Sequence, residues 1–204
     1  MELACLDLEG VLIPEIWIKF AEKTGIEELQ LTTRDEPDYD KLMKMRLQIL
    51  RERGLGLPQI REVVATLDPL DGAIDFLAWL RQHFQVVILS DTYYEFVMPL
   101  IAKLGYPTIL CHRLETDEEG MVTDYVLRQP DPKRSAVKAF HSLNYRVIAA
   151  GDSYNDTTML SEADVGILFH APANVSADFP QFPSVHTYEE LQDEFRKASR
   201  FKIP

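Results

Sequence analysis

The chain has 204 residues, 46% hydrophobic and 26% charged, a balance that suits a soluble protein built as one large domain or as a core carrying an insertion. Its formal net charge of −12, with no stripe rich in Lys or Arg, argues against a nucleic-acid partner and disfavours an anionic membrane surface. Two cysteines (Cys5, Cys111) make neither a disulfide framework nor a CxxC pair, and the opening MELACLDLEG is no signal peptide, so the cytoplasm is the expected compartment.

In chain order, short runs rich in Val, Ile, Leu and Ala predict strands at Leu3–Leu8, Gln85–Ser90, Thr108–Cys111, Arg146–Ala150 and Val165–Phe169. They carry few charges, as strands covered on both faces require. Helical periodicity predicts helices at Gly72–Gln82, Tyr93–Leu104, Pro132–Leu143 and Tyr154–Ala163. A last one, Tyr188–Ala198, follows a short run ending at Ser184–His186. This alternation argues for an α/β fold, a Rossmann-like and mostly parallel sheet with helices on both sides.

Two segments break the rhythm. Between the first strand and about residue 84 the pattern is helical (Glu15–Lys23, Tyr39–Arg51, Pro58–Thr66), which predicts a small inserted helical cap over the edge where open sheets bind ligands. We therefore divide the chain into a core, residues 1–13 and 72–204, and a cap, residues 14–71. Two strand-like runs in Arg113–Arg128 flank Asp117–Gly120 and predict a β-hairpin. Ser199–Pro204 reads as a frayed tail.

The chemistry is concentrated at predicted strand ends. Asp7-Leu8-Glu9-Gly10-Val11 follows the first strand, and Gly10 permits a bend that turns both acids toward one site. Crowded carboxylates repel unless a cation or shared proton relieves them, and magnesium, which prefers hard oxygen ligands, does so. One acid can then attack phosphorus while the other handles a proton. Both acids facing water at a strand end would also account for the pattern.

Gly151-Asp152-Ser153-Tyr154-Asn155-Asp156 follows another strand and opens a helix, placing Asp152 and Asp156 to hold a divalent cation, or Asp152 or Ser153 to cap the helix. Ser90-Asp91-Thr92 offers hydroxyls and N–H groups to a phosphate, or a simple cap. Lys133, beside Arg134, either neutralises charge on a phosphoryl oxygen or is a solvated surface lysine.

These four elements in this order resemble the haloacid dehalogenase superfamily of phosphatases. The resemblance implies that Asp7 forms an aspartyl-phosphate, and that Glu9 is the general acid/base and lends its backbone carbonyl to Mg2+. It further implies that Asp152 is the third protein ligand with Asp156 in support, and that Ser90 and Lys133 hold phosphoryl oxygens.

On the predicted cap helix, Tyr39, Leu42, Met43, Ile49 and Leu50 share a face with Arg46 in its midst. Such an arginine snorkels to the surface or clamps a planar anion; beneath a phosphatase cap the clamp on a substrate carboxylate is the better reading. Glu15, past the catalytic turn, complements it with charge for an amino group, or is simply an acid at a helix N-terminus. The pair is similar to that of phosphoserine phosphatases, over nearly the whole chain. The Asp35–Tyr39 segment and GDSYND resemble the branch that also transfers phosphate from phosphoserine to homoserine, where Asn155 joins the substrate contacts. The implied partner is a small phosphoamino acid, with no nucleic acid, no membrane, and a homodimer left open.

Two residues depart from the common pattern. Glu9 stands where Asp is usual, and one added methylene is large when geometry must hold within about 0.5 Å. Asp91-Thr92 replaces a glycine pair, and Asp91 is expected to bind substrate by turning toward an amino or hydroxyl group. Competing readings are a phosphatase of another small ester, a dehalogenase (disfavoured by Glu9), and an aspartate-phosphorylated receiver module, which lacks a long insertion after its first strand.

Overall fold

A computed structural model describes residues 1–32, 35–36 and 38–203. Thr33, Arg34 and Pro204 lie outside it, as does Pro37 of the Asp35–Tyr39 segment. Seven strands form one sheet: β1 (Glu2–Leu6), β2 (Gln85–Tyr93), β3 (Thr108–Thr116), β4 (Val122–Val126), β5 (Arg146–Gly151), β6 (Val165–Phe169) and β7 (Ser184–Val185). Their spatial order is β4-β3-β2-β1-β5-β6-β7, parallel throughout except for the antiparallel β3–β4 pair. The chain builds outward from β1 through β2 and β3, then returns to β1's other side with β5. That reversal opens a crevice beyond the carboxyl ends of β1 and β5, where α/β sheets place their ligands.

Strand identity follows from burial on both faces. All five residues of β1 are buried, as are the last five of β5. Helices α4 (Ala73–His83) and α9 (Tyr188–Ala198) cover one face, with Phe76, Phe84 and Phe195 packed together. The other face is covered by α6 (Pro132–Ser142) and α7 (Thr157–Glu162), through Val137, Met159 and Leu160.

Between β1 and β2 lie α1 (Ile16–Thr24), a short 3-10 turn at Glu27–Gln30, α2 (Tyr39–Arg53) and α3 (Leu57–Ala65). Asp38 caps α2 by accepting the Lys41 N–H, and Gly54, left-handed at φ 64°, ends it. Phe20, Met43, Leu50 and Ile60 of this insertion belong to the same apolar cluster as Phe96 and Val97 of α5 (Tyr94–Lys103), so no solvent layer separates it from the sheet. The hairpin adds a second tie. Its turn is closed by Asp117, which accepts the Met121 N–H, and the Gly120 carbonyl accepts the Leu57 N–H at 2.9 Å.

Several boundaries differ from the sequence expectation. β1 ends at Leu6, so Asp7 and Leu8 lie beyond it. β2 runs on to Tyr93, because after a register shift Tyr93 pairs with His112 and the Ser90-Asp91-Thr92 segment stays extended. The expected helix from Tyr154 begins as a 3-10 turn, Tyr154–Asp156, before α7. The six-residue α8 (Ala173–Asp178) shows no apolar periodicity and was not expected.

The C-terminal segment is not frayed over its described residues. Glu2 accepts hydrogen bonds from Ser199 Oγ and from the Arg200 N–H, and Ile203 packs against the core. No helix among the described residues is long and apolar enough to cross a membrane.

Candidate active site

Asp7 is held where β1 meets β5: its N–H donates to the Ala150 carbonyl at 2.9 Å, and its Oδ1 accepts from the Leu8 N–H at 2.7 Å. The chain then turns at Gly10, whose φ of 78° is left-handed. Glycine is required there twice over, since a Cβ would also sit 2.5 Å from Asp152 Oδ2. Gly151 makes the matching space from the other strand, where a Cβ would lie 2.4 Å from Asp156 Cγ. Gly10→Ala should therefore displace the Asp152 carboxylate, which a crystal structure of the variant checks.

Asp7, Asp152 and Asp156 bring carboxylate oxygens within 4.8 Å of one another, all buried. Asp156 is fully enclosed and turned inward: Oδ2 accepts the N–H groups of Asp152 and Ser153, and Oδ1 takes Lys133. Lys133 Nζ lies 2.8 Å from Asp7 Oδ1, 2.7 Å from Asp156 Oδ1 and 3.6 Å from Asp91 Oδ2. This lysine is only 3% exposed.

One buried cation against so many carboxylates leaves negative charge in excess. Burial, Asp156 and Asp152 push Asp7's carboxyl well above its ordinary range despite Lys133. Burial alone would lower Lys133, yet Asp156, Asp7 and Asp91 hold its ammonium well above the ordinary lysine value. A small divalent cation fits this cluster: the donors are all carboxylate oxygens, without His or Cys, and the charge calls for one.

Glu9's carboxylate stands outside the cluster. It is half-buried, with Oε2 accepting the Ile16 N–H at the start of α1. Burial and neighbouring Glu15 push it up to about 8, against the pull of that N–H and of Arg46.

Above it, Arg46 of α2 does not snorkel. It is 6% exposed, with its guanidinium 4.6 Å from the Trp17 ring centroid and Nη2 donating to the Leu31 carbonyl. Its buried Nε has no hydrogen-bond partner among the described residues. Glu15 is the N-cap residue of α1 but makes no side-chain cap bond. The structure thus gathers Asp7, Glu9, Glu15, Arg46, Ser90, Asp91, Lys133, Asp152 and Asn155 around one cavity of about 90 Å3, with Asp156 sealed beneath it.

Asp91 has partners behind the cavity that the sequence does not announce. Asp91 turns its carboxylate toward Asn155, Lys133 and the buried His112. Burial would raise it, but Lys133 and the bonds from His112 and Asn155 hold it well below the usual carboxylate range. Tyr39 and Tyr93 share a hydroxyl–hydroxyl bond of 2.7 Å, and Tyr39's hydroxyl also reaches the Asp91 carbonyl at 3.2 Å. Asp91 and Tyr39 are expected from the sequence, but no spacing marks Tyr93 or His112; a strand pairing β2 to β3 in the observed register would have placed His112 beside the Asp91 segment.

Comparison with known proteins decides the family. Residues 12–161 match the model of the haloacid dehalogenase-like hydrolases. The chain belongs to that family. Among haloacid dehalogenase-like relatives, one called phosphoserine phosphatase ThrH, from Pseudomonas aeruginosa, is 70% identical over 98% of this chain and 97% of its own. A phosphoserine phosphatase of Pseudomonas syringae pv. tomato is 69% identical over 100% of this chain and 86% of its own. The fold matches that of a phosphoserine phosphatase from T. onnurineus at a TM-score of 0.76 and 24% identity, covering 97% of this chain and 96% of that one.

Proposed function

We propose that the protein is a magnesium-dependent phosphoserine phosphatase that also passes the phosphoryl group to homoserine. One observation carries the reading: a buried arginine from the insertion faces the same cavity as Asp7 and Lys133. The phosphoserine phosphatases among its 69–70% identical relatives support it.

In this reading residues 14–71 are a cap and the rest the catalytic core. Arg46 clamps the substrate carboxylate and Glu15 meets its ammonium, which sets the phosphate over Asp7. Asp7's carboxylate attacks phosphorus, the bond from phosphorus to serine oxygen breaks, and Glu9 gives that oxygen its proton. Lys133 and Ser90 bind the phosphoryl oxygens as charge shifts onto them. An incoming hydroxyl, of water or of homoserine, then loses its proton to Glu9 as its oxygen takes phosphorus from Asp7. Asp7, Asp152 and the Glu9 backbone carbonyl would hold Mg2+, with Asp156 in support. When bound, the ion neutralises charge on the phosphoryl group. Asn155 adds a substrate contact. The setting proposed is cytoplasmic; a homodimer is compatible.

Arg46→Ala should raise KM for phosphoserine about 10–100-fold, the scale of a lost charge-assisted contact, while KM for p-nitrophenyl phosphate moves less than about 3-fold. Equal shifts on both substrates would remove the clamp. Acceptor choice is read from products: with phosphoserine, Mg2+ and graded homoserine, O-phosphohomoserine should rise as free phosphate falls. Phosphate alone at every concentration would confine the enzyme to hydrolysis.

A further inference from the structure

His112 has no role in the sequence pattern, yet it is a buried polar side chain, 2% exposed, in contact with Asp91 behind the residues that line the cavity. Its Nδ1 accepts the Arg128 N–H at 3.2 Å. A ring nitrogen that accepts a backbone N–H carries no proton in the neutral ring, so the proton sits on Nε2. Nε2 lies 3.3 Å from Asp91 Oδ1, placed to donate to it. The other carboxylate oxygen, Oδ2, accepts Asn155 Nδ2 at 3.0 Å and faces Lys133 Nζ at 3.6 Å. Asn155 is in turn tied through its Oδ1 to Ser153 Oγ. The contacts converge on Asp91: the Arg128 N–H donates to the imidazole, the imidazole donates to one carboxylate oxygen, and the amide and ammonium that line the cavity approach the other.

We propose that His112 is a positioning residue for phosphoryl transfer, acting through Asp91 to fix Asn155 and Lys133 against the bound substrate. The geometry gives the reason. Lys133 is shared by Asp7, Asp156 and Asp91. Once Asp7 carries a phosphoryl group, Lys133 has to meet the phosphoryl oxygens, and Asp91 and Asp156 are the two carboxylates left to aim it. An Asp91 free to rotate would let Lys133 and Asn155 drift by more than catalysis tolerates, about 0.5 Å. The imidazole stops that rotation from the side away from the cavity. Asp91 is thereby an internal anchor more than a substrate ligand, which also explains how a carboxylate is accommodated beside a phosphate site.

The inference rests on the phosphatase reading, and the test separates the two. His112→Asn keeps an acceptor for the Arg128 N–H but is too short to reach Asp91; His112→Gln extends an amide N–H toward the Nε2 position. Both are measured with and without Asp91→Asn, on phosphoserine and on p-nitrophenyl phosphate. Outer partners that orient site groups are worth about 10–100-fold, so H112N should lower kcat/KM by that factor on both substrates, with H112Q restoring most of it. In the D91N background H112N should change the rate less than about 3-fold, because the carboxylate it acts through is gone. Equal losses in both backgrounds, or an H112Q as impaired as H112N, would overturn the proposal. Inactivity on phosphoserine alone, with coupling intact on the aryl ester, would remove the substrate assignment and leave His112's role standing. If H112N does not fold, the wild-type protein carries the test: a downfield Nε2–H proton resonance of His112 should shift in D91N, and an unchanged resonance overturns the link.

Discussion

Asp7→Asn is expected to cut phosphate release from phosphoserine by at least about 10^4-fold, the scale on which removal of a nucleophile registers. The amide cannot accept a phosphoryl group stably, yet it is nearly isosteric. Its Oδ1 can still take the Leu8 N–H and the Lys133 ammonium that the aspartate accepts. The variant should therefore fold, and without divalent metal it should melt higher than the wild type. The sign follows from Asp7's raised carboxyl: a group whose folded-state pKa lies above its unfolded one destabilises the fold when ionised, and the neutral amide escapes that cost. Phosphate release and a melting curve in chelator check both halves. A variant with substantial activity would remove Asp7 as nucleophile.

Lys133→Met carries the other large effect, on stability as well as rate. Nζ stands between Asp7, Asp156 and Asp91, and the side chain is 3% exposed. Methionine matches the stem and removes only the charge, leaving buried carboxylates unpaired. Breaking a buried ion pair from one side costs about 3–5 kcal/mol, which in a chain of this size is a fall in Tm of roughly 6–20 °C. Phosphoserine turnover should fall at least 100-fold, since a preorganised donor to the phosphoryl oxygens is lost. Magnesium should recover part of the Tm and little of the rate, because an ion among Asp7, Asp152 and Asp156 offsets charge without replacing the donor. Calorimetry with and without MgCl2 tests this. A Tm within about 2 °C of wild type would show that the lysine is not the charge these acids depend on.

How much of this was legible in the sequence depended on the range of the causing interaction. Apolar runs fixed by burial on both faces announced β1, β5 and β6, and Gly10 and Gly151 marked the two places where backbone must yield space to an acid. Asp7 and the Gly151–Asp156 run sit at the ends of those strands, so local pattern and site coincide. Lys133 is different. Helical spacing puts it on the buried face of α6 with Ala136 and Val137, but its charge is tolerated there because acids converge on it from beyond β1, from β2 and from the turn after β5. Local pattern gives the face and not the acids.

The same holds for His112 and Glu2. The imidazole's partner is on the neighbouring strand, and Glu2 at the first strand holds residues at the far end of the chain. The Ser90-Asp91-Thr92 run reads locally as turn chemistry. It is extended because Tyr93 pairs with His112 beyond the register shift and because Asp91 is fastened on both oxygens. Arg46 was the intermediate case: helical spacing put it on an apolar face, but only Trp17 and the Leu31 carbonyl, both from outside α2, explain why it stays inside.

The central claim is that phosphoserine gives its phosphoryl group to Asp7. Acid quenching of the wild-type enzyme a few milliseconds after mixing with 32P-labelled phosphoserine and MgCl2 tests it directly. Base-labile label is expected on the protein, mapping to the peptide that contains Asp7 and absent from Asp7→Asn. Phosphate released in a burst-free time course with no label on the protein, or label retained in Asp7→Asn, would contradict it.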